Sequence, residues 1–220
     1  MNLQLESFAQ INQSFKREIE LYGDIVHFTK SDSIFDYEET LEYFYIILSG
    51  KIKVYQINLK NAKEQTIYLM GRGDMYDTVT LLDGQTHEVV VEVLEAGDTL
   101  RIPIGKAREW MYDYPEFGEI VLKFVSSQLR KIEELATDLT LFNTQERLIK
   151  LIIQNMNSDG EGSMLDGLSH TELAKLIGTV RHVVDRHIKQ LKEDGVLKKE
   201  NKKISLVDEE KLLDKIKSLF

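Results

Sequence analysis

The sequence predicts an α+β chain: a β-rich N-terminal half, one long helix, and a C-terminal domain of short helices closed by a hairpin. Three observations carry this. Short runs rich in Val, Ile and Tyr recur at about ten-residue spacing between residues 43 and 104. The period then changes, and apolar residues recur three and four apart from residue 121 to 142. Charge also divides the chain of 220 residues and formal net charge −9. Residues 1–144 hold 14 basic and 24 acidic side chains, net −10, whereas residues 145–220 hold 14 and 13, net +1. Such an asymmetry suggests two domains with different partners.

The β-rich part follows from its runs. Residues 43–48, YFYIIL, and 51–57, KIKVYQI, read as two strands around Ser49-Gly50. In the second run Ile52, Val54 and Ile57 come close to the alternation of a half-buried strand. QTIYLM at 65–70 is another, followed by Gly71 and Gly73, where positive φ costs little. VVVEVL at 89–94 and TLRIPI at 99–104 are two more, joined by Glu95-Ala96-Gly97-Asp98. Short, evenly spaced strands suggest a sandwich or barrel.

From Pro115 to about Thr140 a helix is expected, with proline at a start position that tolerates it. Val121, Val125, Gln128, Ile132, Leu135, Leu139 and Phe142 are spaced 4, 3, 4, 3, 4, 3, and six of the seven are apolar. That spacing is a coiled-coil seam, which reads as a parallel dimer helix. Packing on its own domain is the plainer reading, and one long helix can do both. Residues 145–156 make a further amphipathic helix with Leu148, Leu151 and Ile152 on one face. Residues 157–167, NSDGEGSMLDG, are turn-rich. Val196-Leu197 and ISLV at 204–207 flank Lys198 to Lys203 as a small hairpin, and residues 208–220 read as a terminal helix.

Composition excludes several classes. With 42% hydrophobic and 30% charged residues the chain can bury a core. Zero cysteine excludes a disulfide framework, a thiolate zinc site and a cysteine-held iron–sulfur cluster. No apolar run is long enough to span a membrane, and MNLQLESFAQINQS lacks the charged and apolar regions of a signal peptide. A cytoplasmic location is the expectation. No P-loop, Gly-x-Ser-x-Gly or His-Glu-x-x-His is present, so neither catalytic nor metal-binding residues are assigned and an enzyme is not expected.

The most informative stretch is LSHTELAKLIGTVRHVVDRHIKQLKEDGVL, residues 168–197. Ser169 with Glu172 three residues on forms a capping box. Leu173, Ala174, Leu176 and Ile177 give the first helix its apolar face, and Gly178 ends it. A second helix follows from about Val180, with Val183, Val184, Ile188 and Leu191 inside and Arg181, His182, Asp185, Arg186 and Lys189 outside. Two short helices, a glycine turn and small Ala174 at the close approach make a helix-turn-helix. An acidic total argues mildly against nucleic acid, but residues 169–203 hold nine Lys or Arg and five Asp or Glu, a local +4. Arginine can bond a guanine edge twice, and lysine holds phosphate. With Lys198, Lys199, Lys202 and Lys203 in the hairpin, the layout is that of a winged helix-turn-helix. A second reading is a module whose basic helices dock another protein and never touch DNA.

These motifs together resemble the cyclic-AMP receptor protein/fumarate–nitrate regulator (CRP/FNR) superfamily of bacterial transcription regulators, over roughly residues 20–207. LSGKIKVY (48–55), GRGDMYD (71–77), the long helix, QERL (145–148) and the 168–197 segment carry the resemblance in that order. It implies a double-stranded β-helix, or β-roll, sensor of the cyclic-nucleotide-binding kind in residues 1–114. It further implies a dimerisation helix and hinge at 115–142 and a winged helix-turn-helix at 143–220. It also implies a homodimer that binds a near-palindromic operator in double-stranded DNA, with RNA polymerase as a further partner. By position, Arg181, His182, Asp185 and Arg186 would read bases, while Ser169, His170, Thr171, Lys189, Lys199 and Lys202 would hold phosphate. His182 departs from the glutamate commonest there. The dimer helix would pair through Val121, Val125, Gln128, Ile132, Leu135 and Leu139.

The implied effector pocket holds Met75, Asp77, Thr78, His87, Glu88 and Ile132. Relatives that bind cyclic nucleotides carry Gly-Glu and Arg-Ser where this chain has Asp77-Thr78 and His87-Glu88. Carboxylates there would repel a phosphate, so an effector other than cyclic AMP is expected. Its identity is left open. Haem is one option, with His27, His87, Met70 and Met75 as axial candidates. Met70 and Met75 read better as core filling, and His27 as a solvent-facing strand residue.

Overall fold

Phe44, Tyr45, Ile46 and Ile47 are all buried, and alternate residues of this run enter two different apolar clusters. The computed structural model describes residues 13–156 (31, 33, 34 and 36 aside), 163–200, 203–208 and 211–212. The chain forms two compact units. One takes in the chain to Gln56 and Ile67–Ile132, the other Ile57–Thr66 and Glu133 onward.

In the first unit α1 (Gln13–Tyr22) precedes β1 (Asp24–Phe28), α2 (Tyr37–Glu42), β2 (Tyr43–Ile47) and β3 (Lys51–Asn58). Then come β4 (Lys63–Met70), β5 (Met75–Tyr76), α3 (Thr78–Asp83), β6 (Val90–Glu95), β7 (Gly97–Pro103) and α4 (Ile104–Asp113). The long α5 (Pro115–Leu141) follows. One sheet has the order β1-β7-β2-β5, the other β4-β3-β6. Strand period two sends Phe44 and Ile46 to a cluster with Leu100, Ile102, Trp110 and Phe117. Tyr45 and Ile47 go to a cluster with Phe28, Phe35, Val54 and Tyr76. Each such side chain contributes about 1.5–3 kcal/mol by leaving water.

The strands on either side of Ser49-Gly50 lie in different sheets, as do β6 and β7. Gly50, at φ +86°, turns the chain from one sheet to the other. Gly97 passes so close that a Cβ there would lie 2.1 Å from the Ser49 carbonyl oxygen. The amide of Leu48 donates to Asp98 O (2.8 Å), and Asp98 N donates to Ser49 Oγ (3.0 Å), fixing the crossing. The helix expected from Pro115 runs to Leu141. The four short helices α1 to α4, none longer than ten residues, were not expected from the sequence.

In the second unit α6 (Thr144–Met156), α7 (His170–Leu176) and α8 (Arg181–Glu193) precede β8 (Leu197–Glu200) and β9 (Lys203–Leu206). Leu148, Ile149 and Ile152 of α6 are buried, with Leu151 only half-buried. Leu173 and Ala174 of α7 and Val184, Ile188 and Leu191 of α8 are buried too. The two strands pair antiparallel, Leu197 opposite Leu206, which gives the expected hairpin. Residues 57–66 join this unit by polar contacts with α7. Gln65 Nε2 donates to Leu176 O (3.1 Å), and Lys175 Nζ lies 2.7 Å from Glu64. Of the expected terminal helix, Asp208 is not helical and accepts from Lys211 N (3.0 Å), Lys211 and Leu212 are helical, and the rest lies outside the described residues.

Candidate nucleic-acid interface and sensor cavity

Helix α7 starts where its cap dictates. Ser169 Oγ accepts from Glu172 N (3.2 Å), and the Glu172 carboxylate accepts from the Ser169 hydroxyl. Gly178, at φ +66°, turns the chain, and Thr179 N donates to Ala174 O (2.9 Å). Helix α8 then exposes Arg181, His182, Arg186 and Lys189 and buries Val184, His187, Ile188 and Leu191. Four polar side chains on one face at helical spacing are what base edges and phosphates require. The other expected phosphate contacts fall at the start of α7, with Thr171 exposed and Ser169 and His170 half-buried. The Lys199 side chain and Lys202 lie outside the described residues.

Asp185 differs from its exposed neighbours. Its carboxylate accepts from His170 Nδ1 and lies 3.5 Å from Arg181 Nε. The His170 hydrogen bond, helped by the charge of Arg181, holds its pKa below the usual carboxylate value. It therefore positions two neighbours on this face. His187, which the sequence reading passed over, is 8% exposed, and its Nε2 lies 3.0 Å from Thr144 Oγ1. Burial, then the charge of Arg186, pushes its pKa down. Its signal was a polar residue at i+3 from Val184, inside the apolar stripe.

The first unit contains a cavity of about 210 Å³. Strands β3 to β5 supply Val54, Tyr68, Met70, Met75 and Tyr76. Asp77, Thr78 and His87 stand at it, and α5 closes it with Phe124, Val125, Gln128, Leu129 and Ile132. Of the six expected pocket residues, Met75, Asp77, Thr78, His87 and Ile132 line it. Glu88 does not: it is exposed, and its backbone carbonyl accepts from Gln56 Nε2. Asp77 caps α3 in the left-handed conformation, φ 61°, and accepts from Thr80 Oγ1 (2.7 Å). His87 Nδ1 lies 3.1 Å from Asp77 Oδ1. Burial works against the Asp77 carboxylate, but hydrogen bonds from His87, Thr80 and Thr40 outweigh it and keep its pKa low. The same bond raises the pKa of His87 against the effect of burial.

The expected dimer seam divides on α5. Val121 is fully buried and Gln128 is 8% exposed, both covered by the protein's own first unit. Leu122 and Leu129 are instead 57% and 59% exposed. Leu122, Val125, Leu129, Ile132, Ala136 and Leu139 form an all-apolar stripe with spacing 3, 4, 3, 4, 3, in which Leu122, Leu129, Ala136 and Leu139 are exposed and Val125 and Ile132 are half-buried at the cavity. Leu135, also expected there, is half-buried beside it.

The chain matches two family models: a cyclic nucleotide-binding domain over residues 25–114 and a Crp-like helix-turn-helix domain over residues 146–215. It is 25% identical over 192 residues, 85% of each chain, to a CRP-like cAMP-activated global transcriptional regulator of Mycobacterium tuberculosis. It is 27% identical over 162 residues to the anaerobic regulatory protein of Bacillus subtilis, covering 71% of this chain and 68% of that one. The fold is similar to that of FixK2 from Bradyrhizobium japonicum. The TM-score is 0.76 at 17% identity, over 87% of this chain and 96% of that one. The two family models cover well over half of the sequence, in the order sensor then helix-turn-helix. With the capped α7, the Gly178 turn and the polar face of α8, they place this chain in the CRP/FNR superfamily, whose members are DNA-binding transcription regulators and not enzymes.

Proposed function

We propose that this regulator binds a near-palindromic operator as a homodimer and is controlled by an effector other than cyclic AMP held in the sensor cavity. The observation that carries DNA reading is the α8 face, with Arg181, His182, Arg186 and Lys189 exposed over a buried backing of Val184, Ile188 and Leu191. The apolar stripe through Leu122 and Leu129 supports pairing of two copies along α5. A two-fold dimer sets its recognition helices about 34 Å apart, one DNA turn, so half-site spacing mirrors protein symmetry. An effector that favours the state with this spacing acts through its differential affinity for the two states. RNA polymerase, in the cytoplasm, is the partner this reading requires.

A cyclic nucleotide does not fit the cavity as built. Its phosphate needs a cation or a bouquet of donors, yet the lining contains neither lysine nor arginine and does contain the Asp77 carboxylate. Haem is the alternative effector. His87 Nδ1 lies against Asp77, which leaves Nε2 as the free ring nitrogen, and Met70, Met75 and His87 all stand at the cavity. A saturable Soret band after haem addition would favour a gas sensor instead.

A mobility-shift assay on genomic fragments over a range of salt tests the reading. Retained fragments whose affinity falls steeply with salt are expected, since phosphate contacts release counterions. Absence of any salt-dependent shift would favour the protein-docking module. Calorimetry with cyclic AMP tests the effector part, and saturable micromolar binding overturns it.

A further inference from the structure

Gln128 is out of place if the cavity is only a gap in an apolar core. Its side chain is 8% exposed and lines the cavity, and its Oε1 has no hydrogen-bond partner. Buried amides in native proteins are nearly always satisfied, so an open one at a cavity wall marks where a polar atom is to be received. Around it the walls are apolar: Val54, Tyr68 and Met70 on the strand side, Phe124, Val125 and Leu129 on the helix side.

Size narrows the class. A cavity of roughly 150 Å³ takes benzene, so about 210 Å³ suits one ring with a short substituent. Charge narrows it further. The lining has no lysine or arginine, and Asp77 is the carboxylate on the wall, its His87 partner already engaged. An anion would face that carboxylate with no cation of its own. A neutral ring meets no such penalty and gains from contact with Phe124 and Tyr68.

We infer that the sensor cavity takes a neutral, single-ring molecule bearing one short hydrogen-bonding group, which Gln128 receives. This rests on the reading of the cavity as the effector site and names the chemistry of what fills it.

Calorimetry on the full chain with benzamide, toluene, benzoate and cyclic AMP tests it. Benzamide should bind saturably at one per chain. Toluene, with the ring but no polar group, should bind about three- to tenfold more weakly, the factor one hydrogen bond supplies. Benzoate, the same shape with a negative charge, should bind more weakly than benzamide. In Gln128→Leu the preference for benzamide over toluene should vanish while toluene still binds. The inference is overturned if benzoate equals or exceeds benzamide, if toluene matches benzamide on the wild-type protein, or if neither neutral ring binds at millimolar concentration. These comparisons need no variant to fold. Saturable cyclic-AMP binding would instead overturn the effector reading on which the inference stands.

Discussion

His170, at the start of α7, hydrogen-bonds Asp185, one turn into α8, so the two helices of the DNA-reading motif are joined by a side-chain hydrogen bond. Asp185 also lies beside Arg181. The one carboxylate on the recognition face thus restrains two groups placed to meet DNA. Asp185→Asn should release both and remove a charge that repels phosphate. Affinity for non-specific DNA should rise several-fold, and the ratio of specific to non-specific binding should fall. Anisotropy titrations on operator and random duplexes check this.

Arg186 is exposed on α8 and has a guanidinium suited to a guanine edge. Arg186→Ala should cost about 1–3 kcal/mol on the operator and relax the base preference at one position. Equal losses on operator and random DNA would make it a phosphate contact.

The two units should respond to acid with opposite sign. His187 has a lowered pKa, so its contribution is present above the unfolded histidine value of about 6.5 and lost as pH falls through the folded pKa. His87 has a raised pKa. Its contribution is present below about 6.5 and lost as pH rises through the folded value. Thermal melts between about pH 5 and 8 should show the gap between wild type and His187→Gln narrowing as pH falls. The gap for His87→Gln should widen over the same change.

Gly97→Ala should be severely destabilising, because the added carbon would meet the Ser49 carbonyl at 2.1 Å, where no side chain can yield. Ser169→Ala removes only a cap and should cost about 1 kcal/mol. Denaturant midpoints rank the two.

Leu129→Glu places a charge on the open stripe of α5. On the proposed homodimer, sedimentation should show the wild-type chain as dimer and the variant as monomer, with operator affinity lost as well. Val121, already covered within its own unit, should affect stability in preference to assembly.

The helix-turn-helix was legible because its signals are local. Ser169, Glu172 and Gly178 act within one turn of where they stand, and α8 has a single apolar face. The crossing of Ser49-Gly50 under Gly97 was not legible, since it depends on backbone about fifty residues away. That Val121 and Gln128, expected in the seam on α5, are buried within the first unit was not legible for another reason. The helix carries two apolar stripes, one for its own unit and one open, and spacing alone does not say which stripe faces which way. The pocket positions Met75, Asp77 and Thr78 came from the family resemblance. Gln128 was read as part of the seam, and its unpaired amide became visible only with the cavity around it.

Strand β2 divides its side chains between two clusters, and Phe124 of α5 packs against both. The strand is a party wall. A molecule that wedges apart the Val54–Met70–Tyr76 side presses on a partition whose other face is Phe44 and Ile46, against the cluster that includes Phe117 and Val121 of the long helix. Such a wall cannot bulge on one side alone. Paired truncations across it, Ile46→Val with Ile47→Val, should therefore fail to add, and ring binding in the cavity should be felt at the root of α5 without any hinge.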